Sequence, residues 1–426
     1  MIVYEIKPGD SIYSIARRYG MSMDKIIADN ELENPNRLAV GQSIVLMTDT
    51  IPHIVRRGDS LYSISRAYRV DLEQLKSANP TITSPYILSI GQVVNVPVPT
   101  KKRGLIYVNG YAFPNINMAT LEKTLPYLTY LSIFSHQARP DGSLIPINDT
   151  RLIETARNAN VAPLMVVTNI EEGASFSSQL AHTLLSNPNV SQNLINNIES
   201  NLKSKNYHGV DIDFEYIYPE DADNYNNFLK TLTRRLNPQG FIVTTALAPK
   251  TSATQKGLLY EAHQYPMHGL YANHIILMTY EWGYTFGPPL AVSPINEVKK
   301  VLDYAITVIP SEKILMGMPN YGYDWTLPYK QGSAARSLSL KGALNIALRE
   351  NVAIQYDTKA QSPYFRYIDN SGARHIVWFD DAKSINEKLK LVDVYNLGGV
   401  SYWTINQFFP QNWLILSSMY DIRKVI

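Results

Sequence analysis

The chain has 426 residues, 45% of them apolar and 18% charged, with a formal net charge of +2. That is core enough for two or three globular domains, without the basic excess of a nucleic-acid binder. There is no cysteine, which excludes disulfides, zinc–thiolate sites and a thiol nucleophile.

The opening Met1-Ile2-Val3-Tyr4-Glu5-Ile6-Lys7 carries a charge at its fifth position and no apolar run of leader length. No stretch reaches the ~20 apolar residues of a membrane span. The expectation is a chain that is already processed, or one that reaches its place of action without the usual export signal.

An internal repeat comes next. Gly9-Asp10-Ser11-Ile12-Tyr13-Ser14-Ile15 returns 49 positions later as Gly58-Asp59-Ser60-Leu61-Tyr62-Ser63-Ile64, with further matches at Arg17/Arg66, Tyr19/Tyr68, Asn30/Asn79 and Gly41-Gln42/Gly91-Gln92. Each copy predicts a short strand (3–6; 53–55), a helix that Asp10 or Asp59 caps, and a second helix after Ser22 or Asp71. Asn30 or Asn79 ends that helix, and a closing strand follows (43–46; 93–96). Ile12, Ile15, Ala16 and Tyr19, and likewise Leu61, Ile64 and Tyr68, fall at helical spacing. This βααβ grammar resembles the LysM module over residues 2–47 and 53–97; a small α+β repeat without a ligand is the alternative. The resemblance implies binding of polymers containing N-acetylglucosamine, in the loops after the first strand and before the second. Gly9, Asp10 and Ser11 fall in the first of these loops.

Pro97-Val98-Pro99-Thr100-Lys101-Lys102-Arg103 predicts a linker over residues 98–103, stiffened by proline and solvated by cations. From residue 104 to 426, strand-like runs alternate with helical stretches at 106–111, 130–135, 162–168, 209–214, 242–248, 275–280, 314–319 and 399–404. Eight such runs predict an α/β fold, a (β/α)8 TIM barrel. An α+β insertion is expected at about 326–380, where residues 364–369 and 375–380 alternate around Asn370-Ser371-Gly372.

Chemistry concentrates in His208-Gly209-Val210-Asp211-Ile212-Asp213-Phe214-Glu215-Tyr216. On a strand, alternate side chains share a face. Asp211, Asp213 and Glu215 therefore point into the barrel while Val210, Ile212 and Phe214 pack under the helices. The strand runs on through Glu215 to the C-terminal mouth, where barrel active sites lie. Crowded, desolvated carboxyls repel one another, so at least one pKa rises towards the range a general acid needs. Outermost Glu215 is the natural proton donor. Asp213, one step deeper, could hold a substrate amide, and Asp211 could lend it a proton by hydrogen bonding. A divalent-metal site is the competing reading of three carboxylates, but no further acid-rich motif supplies its remaining ligands, and neither metal nor cofactor is expected.

The spaced run Gly-x-Asp-x-Asp-x-Glu on the fourth of eight runs resembles the signature of family 18 glycoside hydrolases. Met278-Thr279-Tyr280-Glu281 is similar to the family's sixth-strand motif, Gly317-Met318-Pro319-Asn320-Tyr321-Gly322 to the seventh and Ser401-Tyr402-Trp403 to the eighth. The likeness implies catalysis by Glu215, Asp213, Asp211 and Tyr280, the tyrosine gripping an acetamido group. Trp403 would floor the sugar site, with Met278, Glu281 and Asn320 at the substrate. Tyr111 and Phe113 match more loosely, and packing in the core is their other reading. His208 and Glu281 stand where the family usually carries aspartate.

With two LysM-like units in front, the whole resembles the spore cortex-lytic N-acetylglucosaminidases. That implies a monomer acting on peptidoglycan at the spore coat, cortex or wall, cutting β-1,4 bonds after N-acetylglucosamine by a substrate-assisted retaining mechanism. A chitinase using the same residues is one alternative. A non-catalytic wall-binding or coat lectin is another.

Overall fold

Each N-terminal repeat folds as strand, helix, helix, strand in the computed structural model, which describes residues 1–98 and 102–426. Part of the expected linker, Pro99-Thr100-Lys101, lies outside the described residues. In the first repeat β1 (Ile2–Glu5) pairs antiparallel with β2 (Ser43–Leu46), and helices α1 (Ile12–Tyr19) and α2 (Met23–Asn30) cover one face. In the second, β3 (Thr50–Ile54) pairs with β4 (Val93–Pro97) under α3 (Leu61–Tyr68) and α4 (Leu72–Ser77).

The first helices are capped by Ser11 and Ser60, one residue beyond the predicted Asp10 and Asp59. Each hydroxyl accepts from the backbone three residues on, and Ser14 or Ser63 returns the bond as a capping box. Asp10 and Asp59 instead close the preceding turn, accepting from the amides of Lys7 (2.9 Å) and Arg56 (2.7 Å). Asp71 does cap its helix, whereas Ser22 makes no side-chain capping bond. The matched asparagines tie helix end to strand. Asn30 bonds both the N–H (2.7 Å) and the C=O (2.8 Å) of Val45, and Asn79 does the same to Asn95 at 2.8 and 2.7 Å.

The two repeats differ in what their outer sheet faces meet. Val45 belongs to the barrel's own hydrophobic cluster, and Val3 packs against it. Beside them Ser43 donates to Asp381 (2.6 Å), Glu5 pairs with Lys383 (2.7 Å), and the Val40 carbonyl accepts from the Ile354 amide (2.8 Å). Gly41 lies so close to Ile354 that any side chain there would strike its carbonyl oxygen. In the second repeat Ile54 and Val93, which stand in the places of Glu5 and Ser43, are 60% and 52% exposed. Its core of Val55, Leu61, Ile64, Leu75, Val94 and Val96 is separate from the barrel's.

The barrel closes as expected. Its eight strands are β5 (Leu105–Ala112), β6 (Tyr130–Gln137), β7 (Ala162–Thr168), β8 (Gly209–Asp213), β9 (Ile242–Leu247), β10 (His274–Leu277), β11 (Ile314–Pro319) and, closing the ring against β5, a last strand at Gly399–Trp403. All are parallel to their neighbours. Val210, Ile212 and Phe214 lie in the layer between strands and helices, Phe214 stacking on Tyr225 and Phe228.

Between β11 and the last barrel strand stands a five-stranded antiparallel sheet. Its strands are β12 (Tyr321–Leu327), β13 (Arg336–Ser339), β14 (Gln355–Asp357), β15 (Ser362–Ile368) and β16 (Arg374–Trp378), with Gly399–Trp403 then β17. It begins one residue after β11 ends, so it overhangs the C-terminal mouth of the barrel.

Candidate active site

The ladder of acids faces inward, but β8 stops at Asp213. Glu215 lies two residues past the strand end, at the rim, and Tyr216 after it turns the chain with a left-handed φ of 54°. The predicted strand through Glu215 is therefore too long, although the alternation of faces persists. Phe214 still packs outward, and Glu215 still lines the mouth.

Asp211 is fully buried, and its two oxygens accept from Tyr111 and Thr244 hydroxyls, each at 2.6 Å. Burial raises its carboxyl to about 6 against the lowering effect of those two bonds. The expected hydrogen bond from Asp211 to Asp213 does not form; the Asp211 oxygens are bonded to the Tyr111 and Thr244 hydroxyls instead. Asp213 is 4% exposed, and its Oδ1 has no hydrogen-bond partner among the described residues. Its carboxyl is pushed well above the usual range by burial first, then by the charges of Glu215 and Asp211. Burial, and then the Glu281 charge, raise Glu215 to about 7.

These groups open into a cleft of about 460 Å³ walled by Tyr111, Phe134, Met278, Tyr280, Glu281 and Trp403, with Tyr216, Tyr260 and Tyr284 towards solvent. Tyr280 lies against Gly317, where a Cβ would come within 2.8 Å of its ring and 2.5 Å of the Leu277 carbonyl oxygen. Only glycine lets the phenol settle there. Trp403 is held edge-on by Tyr111, Phe113 and Phe134, at centroid distances of 5.4, 5.8 and 4.8 Å. Tyr111 is thus part of the site's hydrogen bonding, while Phe113 is a packing wall for the tryptophan.

Glu281 stands at the edge of the cleft with a left-handed φ of 67°. Its carboxylate accepts from the phenols of Tyr321 and, at 3.0 Å, Tyr323, while burial raises its carboxyl above the ordinary range. Beyond Glu281 and Trp403 a second hollow of about 400 Å³ continues the cleft past Phe113, Asn320 and Tyr321. Asn320 borders it, but its amide is committed to the carbonyls of Thr404 and Gln407, both at 2.8 Å. Both amide hydrogens thus tie down the loop after Trp403 and leave no free donor.

Sequence reasoning missed the aromatic rim of Phe134, Tyr216, Tyr260 and Tyr284, and the cradle that Tyr321 and Tyr323 make for Glu281. Only the tyrosine richness of the barrel region, 29 in the chain, pointed towards such a rim. Among the described residues no group of three or more His, Asp or Glu side chains could hold a metal ion.

What the arrangement offers is a half-buried proton donor at a rim, a second acid beneath it with a free oxygen, a phenol, and an indole floor. Comparison with known proteins agrees with this chemistry. Residues 109–407 match the glycosyl hydrolases family 18, and residues 4–46 and 53–97 match the LysM domain. The cortical fragment-lytic enzyme of Bacillus subtilis (strain 168) is 43% identical over 432 residues, 100% of this chain and 99% of that one. Its counterpart in Bacillus anthracis is 39% identical over 429 residues, 99% of each chain. The crystal structure of the Bacillus megaterium QM B1551 spore cortex-lytic enzyme SleL is similar with a TM-score of 0.92 and 40% identity, over 100% of this chain and 99% of that one.

Proposed function

The chain belongs to the glycosyl hydrolases of family 18, and from that membership we propose that it cleaves spore cortex peptidoglycan or its fragments after N-acetylglucosamine. The observation that carries the chemistry is the pair at the rim. Glu215 is poised to be protonated near neutral pH, above a buried Asp213 with an unpartnered oxygen.

In the first step Glu215 gives its proton to the glycosidic oxygen and the bond from that oxygen to the anomeric carbon breaks. The acetamido carbonyl oxygen of the same sugar attacks the anomeric carbon, forming a cyclic oxazolinium ion. Asp213 accepts the acetamido N–H and stabilises the positive charge that develops on the ring, while Tyr280 orients the group. In the second step water attacks the anomeric carbon and gives a proton to Glu215, and the ring reopens to the acetamide. The attacking group is already tethered to the reacting carbon, so its orientation is in place before the barrier is climbed. This is the substrate-assisted exception to the two-carboxylate rule for retaining glycosidases.

The chemistry limits the cleaved sugar to one with an intact 2-acetamido group. A muramic lactam, its nitrogen locked in a ring, cannot supply the nucleophile, so the cut falls on the reducing side of N-acetylglucosamine. The two N-terminal repeats support retention of the enzyme on polymers of that sugar at the spore cortex or wall. Mass spectrometry of products from cortex fragments and from chitin, digested side by side, tests the reading. Products ending in reducing N-acetylglucosamine from cortex fragments are expected. Products ending in reducing muramic acid, or turnover of chitin alone, would overturn it.

A further inference from the structure

The acid at the rim is attached to the barrel in an unusual way. The β7–β8 ladder ends at Thr168 opposite Asp213, and the β8–β9 ladder ends at Ile212 opposite Thr245. The peptide that joins Phe214 to Glu215 therefore has no strand on either side, yet its polar groups are satisfied by two buried side chains. Asn169, the residue after β7, accepts the Glu215 N–H at Oδ1 (2.9 Å) and donates from Nδ2 to the Glu215 carbonyl (2.8 Å) and to that of Ser177 (3.0 Å). From the other side His263 Nε2 meets the Phe214 carbonyl at 2.9 Å, and its Nδ1 accepts the Ala248 N–H at 2.9 Å. Those two bonds fix a neutral imidazole with its proton on Nε2. Asn169 is fully buried and His263 is 1% exposed.

We propose that Asn169 and His263 are positioning residues that act as a side-chain clamp, extending the barrel by one residue pair so that the Glu215 carboxyl is held at the rim. The inference rests on the reading of Glu215 as the proton donor. The clamp fixes the φ and ψ of a residue that no ladder constrains, and with them the height of its carboxyl over Asp213 and its separation from Glu281. Loss of the clamp lets the carboxyl swing towards water. That lengthens the reach to the glycosidic oxygen and relieves the desolvation that keeps Glu215 protonated.

The same two-bonded asparagine occurs at Asn30 and Asn79, where it ties a helix end to a strand. The test must therefore read more than stability. Asn169→Ala, Asn169→Asp and Glu215→Gln are measured in the full chain on soluble cortex fragments, with kcat and KM resolved across pH and folding checked by thermal melting. Asn169→Asp keeps shape and the acceptor but loses the donor, and it serves if the alanine variant does not fold. In both Asn169 variants kcat is expected to fall tenfold to about a hundredfold with KM within about twofold, as for a misplacement of about 1 Å. In Asn169→Ala the alkaline limb of kcat should also move to lower pH, as Glu215 regains solvent and ionises more easily; the carboxyl added in Asn169→Asp opposes that shift, so that variant is read by kcat and KM. A folded variant with wild-type kcat and pH profile, or with a changed KM alone, overturns the clamp. If Glu215→Gln itself turns over normally, the function reading fails instead.

Discussion

The phenol of Tyr111 donates a 2.6 Å hydrogen bond to Asp211, a hundred residues further along the chain. With Thr244 on the other oxygen, Asp211 becomes a braced acid rather than a proton relay. What it passes upward is field: its charge is one of the two that hold the Asp213 carboxyl up.

Replacing Glu215 by Gln should leave the fold and polymer binding intact while kcat falls roughly a hundred- to ten-thousandfold, the usual contribution of a general acid. Steady-state turnover of soluble cortex fragments, alongside pull-down on insoluble cortex, measures both. Turnover within a few-fold of wild type would rule out the assignment.

The pH profile follows from the raised carboxyl of Glu215. The first step needs the protonated acid, whose pKa is raised to about 7, so kcat/KM should decline as pH climbs through that value. The Glu281 charge contributes to that rise. In Glu281→Gln the alkaline limb should therefore move towards acid, and a profile that stayed in place would show that the two carboxyls do not sense each other.

Asp213 gives a stability prediction with a definite sign. Its carboxyl is raised in the folded chain by burial and then by Glu215 and Asp211, so ionisation opposes folding. The stability it contributes is complete below the ordinary carboxyl range and lost as pH rises through the raised value. Asp213→Asn removes that loss. Relative to wild type, the variant should gain more stability at pH 8 than at pH 5. Thermal melting of both proteins at the two pH values measures the gain, and an equal difference at both would contradict this account.

Gly317→Ala tests the seat of Tyr280. The added methyl meets the Leu277 carbonyl oxygen and the tyrosine ring, so the phenol must move. A loss of kcat of about tenfold or more is expected, since small displacements of positioned groups are costly. Unchanged kinetics would mean that the ring does not need that seat.

The two repeats should respond differently to disruption. Val45→Asp places a charge in the barrel's hydrophobic cluster and should lower the melting temperature of the barrel itself. Leu75→Ala hollows the separate core of the second repeat, at a cost of about 2–5 kcal/mol to that unit alone. Hydrolysis of soluble fragments should survive it while retention on insoluble cortex weakens. Calorimetry with fragment and cortex assays distinguishes the two outcomes.

Much of this is legible in the chain. Gly209 to Glu215 alternates with period two, and an extended backbone keeps that alternation even where its neighbours stop, so the faces of Asp211, Asp213 and Glu215 are readable. The end of β8 is not, because a strand ends where partners end, and partners are a tertiary fact. Capping differs from expectation by one residue because Asp10 and Ser11 are both competent caps and only the turn geometry chooses between them. The Glu281 cradle depends on Tyr321 and Tyr323, some 40 residues away. Asn169 looks like an ordinary loop asparagine until its partner in space is seen.

The docking of the first repeat also fixes the order of the pair. Lys383 and Asp381 receive Glu5 and Ser43; the equivalent positions of the second copy are Ile54 and Val93. Were the copies transposed, Ile54 and Val93 would stand where Lys383 has its carboxylate partner and Asp381 its hydroxyl donor, and both bonds would be lost. The tandem is thus directional: one member is built into the barrel's hydrophobic cluster, and the other keeps a core of its own.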